Sequence, residues 1–312
     1  MPEKVITTQE VKDYLWQIQG REISLTALRK EFNILPGSKS FNLIRNIMFQ
    51  LVEQKIVRPT GKRDGSYKVI TQVLPVRVFA PDRKRLPPFD LKFPCDYLTK
   101  AQMVWGNSVV VREGDVITLG GVKSSGKTAL CMNFCAENID SHPVLMGNEY
   151  TKLVETGYVV APRFQNRLDG MDWVEWMDED CNDKFTLLPV REDYAEHIVK
   201  NKINIIDWIN IDADRLYDIS HVLENIKANL GKGIAIVALQ KGEGAINPRG
   251  GQFVRDFSDL EILLDSLGND SEDVLLTVKG VKESTTNIVG KTYGYSLPRK
   301  DNGIKIMNFR EV

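Results

Sequence analysis

The blocks Val116-Ile117-Thr118-Leu119-Gly120, Gly121-Val122-Lys123-Ser124-Ser125-Gly126-Lys127-Thr128 and Ala129-Leu130-Cys131 follow one another without a break. The first reads as a buried β-branched strand, the second is G-x-x-x-x-G-K-T, and the third opens a helix. Strand, glycine loop and helix in that order make a phosphate-binding P-loop, and no other stretch narrows the choice of fold so far. Gly121 and Gly126 let the backbone turn sharply, so that the N–H groups of Val122, Lys123, Ser124 and Ser125 approach phosphate oxygens. The helix beginning near Lys127 aims its unpaired N–H groups at the same anion. Lys127 offers a positive charge to the β- and γ-phosphates and Thr128 a hydroxyl to Mg²⁺. ATP and Mg²⁺ are therefore the expected ligands.

Three further apolar runs end in polar groups suited to that chemistry. Ile203-Asn204-Ile205-Ile206-Asp207 ends in a carboxylate, the Walker B pattern, and Asp207 is expected beside Thr128 as a Mg²⁺ ligand; its plainer use is as a turn cap. Pro143-Val144-Leu145-Met146-Gly147-Asn148-Glu149 also ends in an acid. Glu149 is either a surface group or the base that orients an attacking water. Ile234-Ala235-Ile236-Val237-Ala238-Leu239-Gln240 ends in an amide able to sense the γ-phosphate. The stretch 241–251 after it is Gly-rich and polar, with Lys241 and Arg249 against Glu243.

A chain of 312 residues predicts two domains, and the charge is divided accordingly. Residues 1–85 hold 16 basic and 8 acidic side chains, whereas 86–312 hold 25 basic and 34 acidic. A basic N-terminal module points to a polyanionic partner. Residues 7–20 read as a first helix capped by Thr7 or Thr8, a second helix follows Ser24, and a third opens at Ser40. Lys62-Arg63-Asp64-Gly65 then marks a hairpin turn. Three helices and a basic hairpin over 1–73 resemble a winged helix-turn-helix. Lys39, Asn42, Arg45 and Asn46 would face a groove, and Lys62, Arg63 and Lys68 on the wing would meet phosphates. Docking another protein is the alternative use of such a module.

Residues 74–94 carry Pro75, Pro81, Pro87, Pro88 and Pro94 around Arg83-Lys84-Arg85 and read as a semi-rigid linker. From 95 to 312 strands and helices alternate. The candidate strands are 116–120, 143–147, 185–190, 203–207 and 234–239, and the candidate helices lie near 127–138, 151–156, 192–200 and 216–230. That alternation predicts an α/β fold with a mainly parallel sheet and helices on both faces. The strands near 274–279, 292–297 and 304–309 come too close together for crossovers and should extend the sheet antiparallel.

No apolar run reaches the roughly 18 residues that span a bilayer, and Met1-Pro2-Glu3-Lys4 opens no signal peptide, so a cytoplasmic protein without a membrane partner is expected. Cys95, Cys131, Cys135 and Cys181 lack zinc spacing; Cys131 and Cys135, four apart on the P-loop helix, suit buried thiols better than a disulfide, and a reducing compartment is the simplest setting. Trp173 and Trp176 read as packing residues. His142, His197 and His221 share no metal spacing.

The segment Gly114 to Thr128, with its Ser-Ser-Gly-Lys-Thr core, resembles the P-loop of the RecA/RadA recombinases and DnaB-type helicases. The resemblance covers roughly residues 88–312. It makes Glu149 the catalytic glutamate, Asp207 the Walker B acid and Gln240 a glutamine switch. Residues 241–251 take the place of a DNA-binding loop, with Lys241 and Arg249 as contacts. Lys279-Gly280-Val281-Lys282 is similar to the stretch that reaches a neighbouring subunit's ATP site, although Lys279 and Lys282 also read as exposed strand lysines. What the resemblance implies is a RecA-like P-loop NTPase core behind a small winged-helix domain. It implies a homo-oligomeric ring or filament, with single-stranded DNA in its channel and duplex DNA at the wing. The function implied is a DNA-dependent Mg-ATPase, motor or helicase-like, in replication, recombination or repair. The alternatives are an ATP-controlled DNA-binding regulator and a protein-docking adaptor.

Overall fold

The computed structural model describes residues 5–71, 73, 78–79, 87–147, 149–155, 157–209, 218–242, 244–245, 247–267 and 271–312. Pro75, Pro81, Arg83-Lys84-Arg85, Asn148, Asp212, Asp214 and Glu243 lie outside the described residues. The chain divides into two compact units, Met1–Lys84 and Arg85–Val312.

In the first unit α1 (Thr8–Gln17) starts on a capping box: Thr7 Oγ1 accepts the Glu10 N–H at 3.2 Å, and the Glu10 carboxylate accepts the Thr7 N–H at 2.9 Å. Strand β1 (Glu22–Ser24) leads into α2 (Leu25–Glu31), whose cap Ser24 accepts the Ala27 N–H at 3.1 Å. Next comes α3 (Lys39–Glu53), whose N-cap position is Ser38 and not Ser40, though the Ser38 hydroxyl makes no capping hydrogen bond. Ser40 is instead buried and accepts the Ile6 N–H. Strands β2 (Val57–Pro59) and β3 (Ser66–Val69) flank the basic turn. Strand β1 joins them in an antiparallel sheet of order β1-β3-β2, a third strand that its length of 3 residues hides from any pattern search. Val11, Leu15, Leu28, Ile44, Met48 and Leu51 form the core, at helical spacing on their own elements.

Among the described residues the second unit is built on a nine-stranded sheet. In chain order its elements are β4 (Val116–Gly121), α4 (Lys127–Glu137), β5 (Val144–Met146), β6 (Thr151–Val154), β7 (Gly157–Val160), α5 (Pro162–Gly170), β8 (Thr186–Leu188), β9 (Ile203–Ile209), α6 (Ile219–Asn229), β10 (Ile234–Gln240), α7 (Gln252–Phe257), β11 (Leu260–Ser266), β12 (Asp273–Val281), β13 (Thr292–Ser296) and β14 (Met307–Glu311). The sheet order is β14-β13-β12-β11-β4-β10-β9-β5-β8, with β6 and β7 paired apart from it. Neighbours from β8 to β11 run parallel, and β12, β13 and β14 follow antiparallel. This is an α/β fold with a large, mostly parallel sheet. β4, β9 and β10 are mostly apolar and buried along nearly their whole length because both faces are covered. Ile117, Leu119, Ile205 and Ile236 face a layer that includes Leu130 and Phe134 of α4. Val116, Ile206, Ala235 and Val237 face Ile219, Leu223 and Ile226 of α6.

Several boundaries differ from the sequence expectation. Of the stretch 151–156, expected as helix, Thr151–Val154 is instead strand β6, paired antiparallel with β7; Thr151, Val154, Val159 and Val160 are β-branched and favour strand. The helix expected near 192–200 is one short 3₁₀ turn, Tyr194–His197. Strand β11 and helices α5 and α7 were not expected at all. Leu91 and Phe93 are buried in the second unit's core and the Phe89 N–H donates to the Val111 carbonyl at 2.8 Å, so this proline-bearing stretch packs as part of that unit. The four cysteines are free, Cys131 and Cys135 are buried, and burial raises the Cys135 thiol to about 12. Trp173 and Trp176 pack against the core, beside Tyr97 and Phe185 respectively.

Candidate nucleotide and metal site

The glycine loop joins β4 to α4 at the carboxyl end of the parallel strands. Ser124 (φ +65°) and Gly126 (φ +87°) both take left-handed backbone, which curls successive N–H groups toward one side. Gly121 permits a close approach: a Cβ there would stand 2.3 Å from Ser125 Oγ and 2.8 Å from the Leu264 carbonyl oxygen. Lys127, the first residue of α4, folds back over the loop. Its Nζ donates to the carbonyl oxygens of Gly121 at 2.8 Å and Val122 at 2.7 Å. Burial pulls the Lys127 pKa down, and the negative charges of Asp207 and Glu149 partly oppose that shift.

Asp207 does not end its strand. β9 sets two residues, Asp207 and Trp208, against the single Ala238 of β10, since Ile206 pairs with Val237 and Ile209 with Leu239. Such a bulge re-aims a side chain. Asp207 is 1% exposed, and burial is the main cause that raises its pKa. Tyr150, Thr128 and Lys127 act in the opposite direction and favour the carboxylate. Tyr150 Oη donates to Asp207 Oδ2 at 2.6 Å, while Oδ1 is buried and makes no hydrogen bond. Ser125 Oγ, in the loop, is likewise buried without a partner.

Glu149 lies on the exposed bend after β5, and its charge acts on both Lys127 and Asp207. Gln240 is half-buried at the end of β10, in register with Gly121. The next residue ties to the same place, for the Lys241 N–H donates to the Gly121 carbonyl at 2.9 Å. The structure thus brings Lys127, Thr128, Glu149, Asp207 and Gln240 toward the carboxyl ends of four neighbouring parallel strands, Asp207 from within its strand and the others from or just beyond the strand ends.

These residues fit a divalent cation bound together with a phosphate. A buried carboxylate oxygen with no partner is expensive unless something satisfies it, and Thr128 adds a second oxygen beside it. Among the described residues no three His, Cys, Asp or Glu side chains gather into a metal group. A cation here would therefore draw its remaining ligands from water and from a phosphate.

Other expected site residues lie elsewhere. Lys241 is only 8% exposed and ion-pairs with Asp265, so its ammonium is turned into the protein and away from the loop surface assumed for a DNA contact. Arg249 is exposed, and its N–H donates to the Gln240 carbonyl at 2.8 Å. Lys279 is the extra residue at a break in the β11–β12 register. Lys282 Nζ bonds Asp259 Oδ1 at 2.8 Å, and Asp259 Oδ2 accepts the N–H of Val116, where β4 begins. Six strand residues, roughly 17 Å, separate that point from the glycine loop, so Lys282 cannot serve its own chain's loop. In the first unit Lys39, Asn42, Arg45, Lys62 and Arg63 are exposed. Lys62 pairs with Glu22 at 3.1 Å, and Arg45 lies 3.9 Å from Asp64.

Sequence reasoning missed Tyr150 and the role of Gly147. A Cβ at Gly147 would stand 2.1 Å from the Asp207 carbonyl oxygen and 2.8 Å from the Tyr150 ring. The only signal in the sequence was a glycine at a strand end, two residues before a candidate acid. Gly147→Ala is expected to destabilise the protein by about 1–3 kcal/mol through this backbone clash. A lowered denaturant midpoint with an unchanged m-value checks it.

No family model matches this chain. No curated protein matches it. Among solved structures, a KaiC-like protein from the hyperthermophilic archaeon Pyrococcus horikoshii aligns over 71% of this chain and 100% of its own length, at 14% identity and a TM-score of 0.49.

Proposed function

We propose that this chain is a Mg²⁺-dependent ATP hydrolase of the RecA-like type that acts on DNA as a homo-oligomer. The convergence of Lys127, Thr128, Glu149, Asp207 and Gln240 at the carboxyl ends of β4, β5, β9 and β10 carries the reading. A parallel sheet collects ligand groups at that edge, and here each group has a separate task. Loop amides and Lys127 hold the phosphates. Thr128 and Asp207 are the groups that would hold Mg²⁺, which when bound neutralises charge on phosphate oxygens. Glu149 accepts the proton of the attacking water. Gln240, in register with Gly121, links the state of the loop to residues 241–251.

Oligomerisation follows from what one chain lacks. Lys282 is held by Asp259 beside the start of β4, at the far end of that strand from its own loop, so any contribution it makes to a phosphate site is made to a neighbour. The first unit is read as a winged helix with α3 toward a groove and the hairpin on phosphates. The second reading is an ATP-controlled regulator or adaptor that separates no strands. The inward turn of Lys241 favours it, since it removes positive charge from the surface assumed to face DNA.

Steady-state ATP hydrolysis with and without single-stranded DNA distinguishes them. The motor reading expects strong stimulation, falling steeply as salt rises because bound cations are released from the strand. Duplex binding that needs ATP but brings no unwinding supports the regulator. Hydrolysis indifferent to any DNA leaves the adaptor.

A further inference from the structure

We propose that Tyr150 is a positioning residue for Asp207: by holding Oδ2 it leaves Oδ1 as the oxygen available to a cation or its water. The inference rests on the Mg²⁺-nucleotide reading of this site and adds a residue to it. The contact is 2.6 Å long and fully enclosed, with the Tyr150 side chain completely buried. Without it Asp207 could rotate, and neither oxygen would be assigned.

Tyr150 is itself held from three sides. Its ring packs on Phe164 at 4.6 Å between centroids. Its carbonyl accepts the Ala161 N–H at 2.8 Å, which closes the base of the β6–β7 hairpin. Gly147 gives it room, since a Cβ there would press on the ring at 2.8 Å. The same residue follows Glu149 directly in the chain, so one short segment fixes the group proposed as base and the orientation of the acid proposed as metal ligand. Partners of this kind, one bond removed from a metal, typically set affinity for it by about 10–100-fold.

The test is Tyr150→Phe, which deletes one oxygen and keeps the ring. A fluorescent ADP analogue is titrated onto wild-type and variant protein, first in EDTA and then over a series of Mg²⁺ concentrations. The expected result is unchanged affinity in EDTA and a roughly 10-fold higher Mg²⁺ concentration at half-effect. Asp207→Asn should shift the Mg²⁺ dependence too, and adding Tyr150→Phe to it should produce no further shift, because the hydroxyl acts only through that carboxylate. An unchanged Mg²⁺ half-point in Tyr150→Phe overturns the inference. So does an equal loss in EDTA and Mg²⁺, which would mark a purely structural role, or additive effects in the double variant. A wild-type protein whose nucleotide binding ignores Mg²⁺ would instead remove the parent reading.

Discussion

Lys127→Ala is expected to lower kcat/KM for ATP by at least roughly 10²–10³-fold, the scale on which removal of one pre-placed charge-stabilising group is felt. Two losses combine. The phosphates lose a cation that burial has already stripped of water, and a desolvated charge acts on its neighbours more strongly than a hydrated one. The loop also loses the two hydrogen bonds from Nζ to the Gly121 and Val122 carbonyls, which brace the turn. Lys127→Arg separates these contributions: it keeps the charge but brings a planar fork that does not match two converging carbonyls, so it should also fail. Affinity for a fluorescent ATP analogue and steady-state hydrolysis are the measurements. Full affinity and turnover in Lys127→Ala would remove the phosphate-binding role of the loop and, with it, the ATPase reading.

Glu149→Gln should separate binding from chemistry. The substitution keeps shape and removes the charge and the basic oxygen. The expected fall in kcat is roughly 10²–10⁴-fold, the range for loss of a general base. Binding of ATP should persist or tighten, because the negative charge of Glu149 repels phosphate oxygens at the same end of the sheet. It also acts on Lys127 and Asp207, so its removal alters the field at both. Single-turnover hydrolysis and equilibrium binding read the two effects independently. An unchanged kcat would return Glu149 to an ordinary surface carboxylate, which its exposure permits. Loss of binding together with turnover would show instead that the bend after β5 supports the loop.

The residues that could be read from the chain are those whose pattern is local. The strand, loop and helix of residues 116–137 are contiguous, and their glycine spacing carries meaning without any partner. The antiparallel edge was legible for a similar reason: the gaps between β12, β13 and β14 leave no room for crossover helices. The hairpin at 151–160 was not, because a six-residue window with mixed side chains is consistent with either a helical turn or a strand, and only its pairing decides. Strand β11 escaped because Glu261 and Asp265 interrupt its apolar run; Glu261 is buried and paired with Arg255, a contact no periodicity reveals.

By itself the sequence determined the loop, the strand-borne acids and amide around it, and the division of charge between the two units, since each is written in adjacent residues or in simple composition. Tertiary structure decided which of those groups meet. Strand order set β10 between β4 and β9, a bulge turned Asp207, Tyr150 took one of its oxygens, and Lys241 was drawn inward by Asp265. The physical reason is that burial and side-chain partners depend on contacts between residues far apart in the chain. Tyr150 and Asp207 lie 57 positions apart, and nothing in either neighbourhood indicates that one hydroxyl and one carboxylate will share a hydrogen bond.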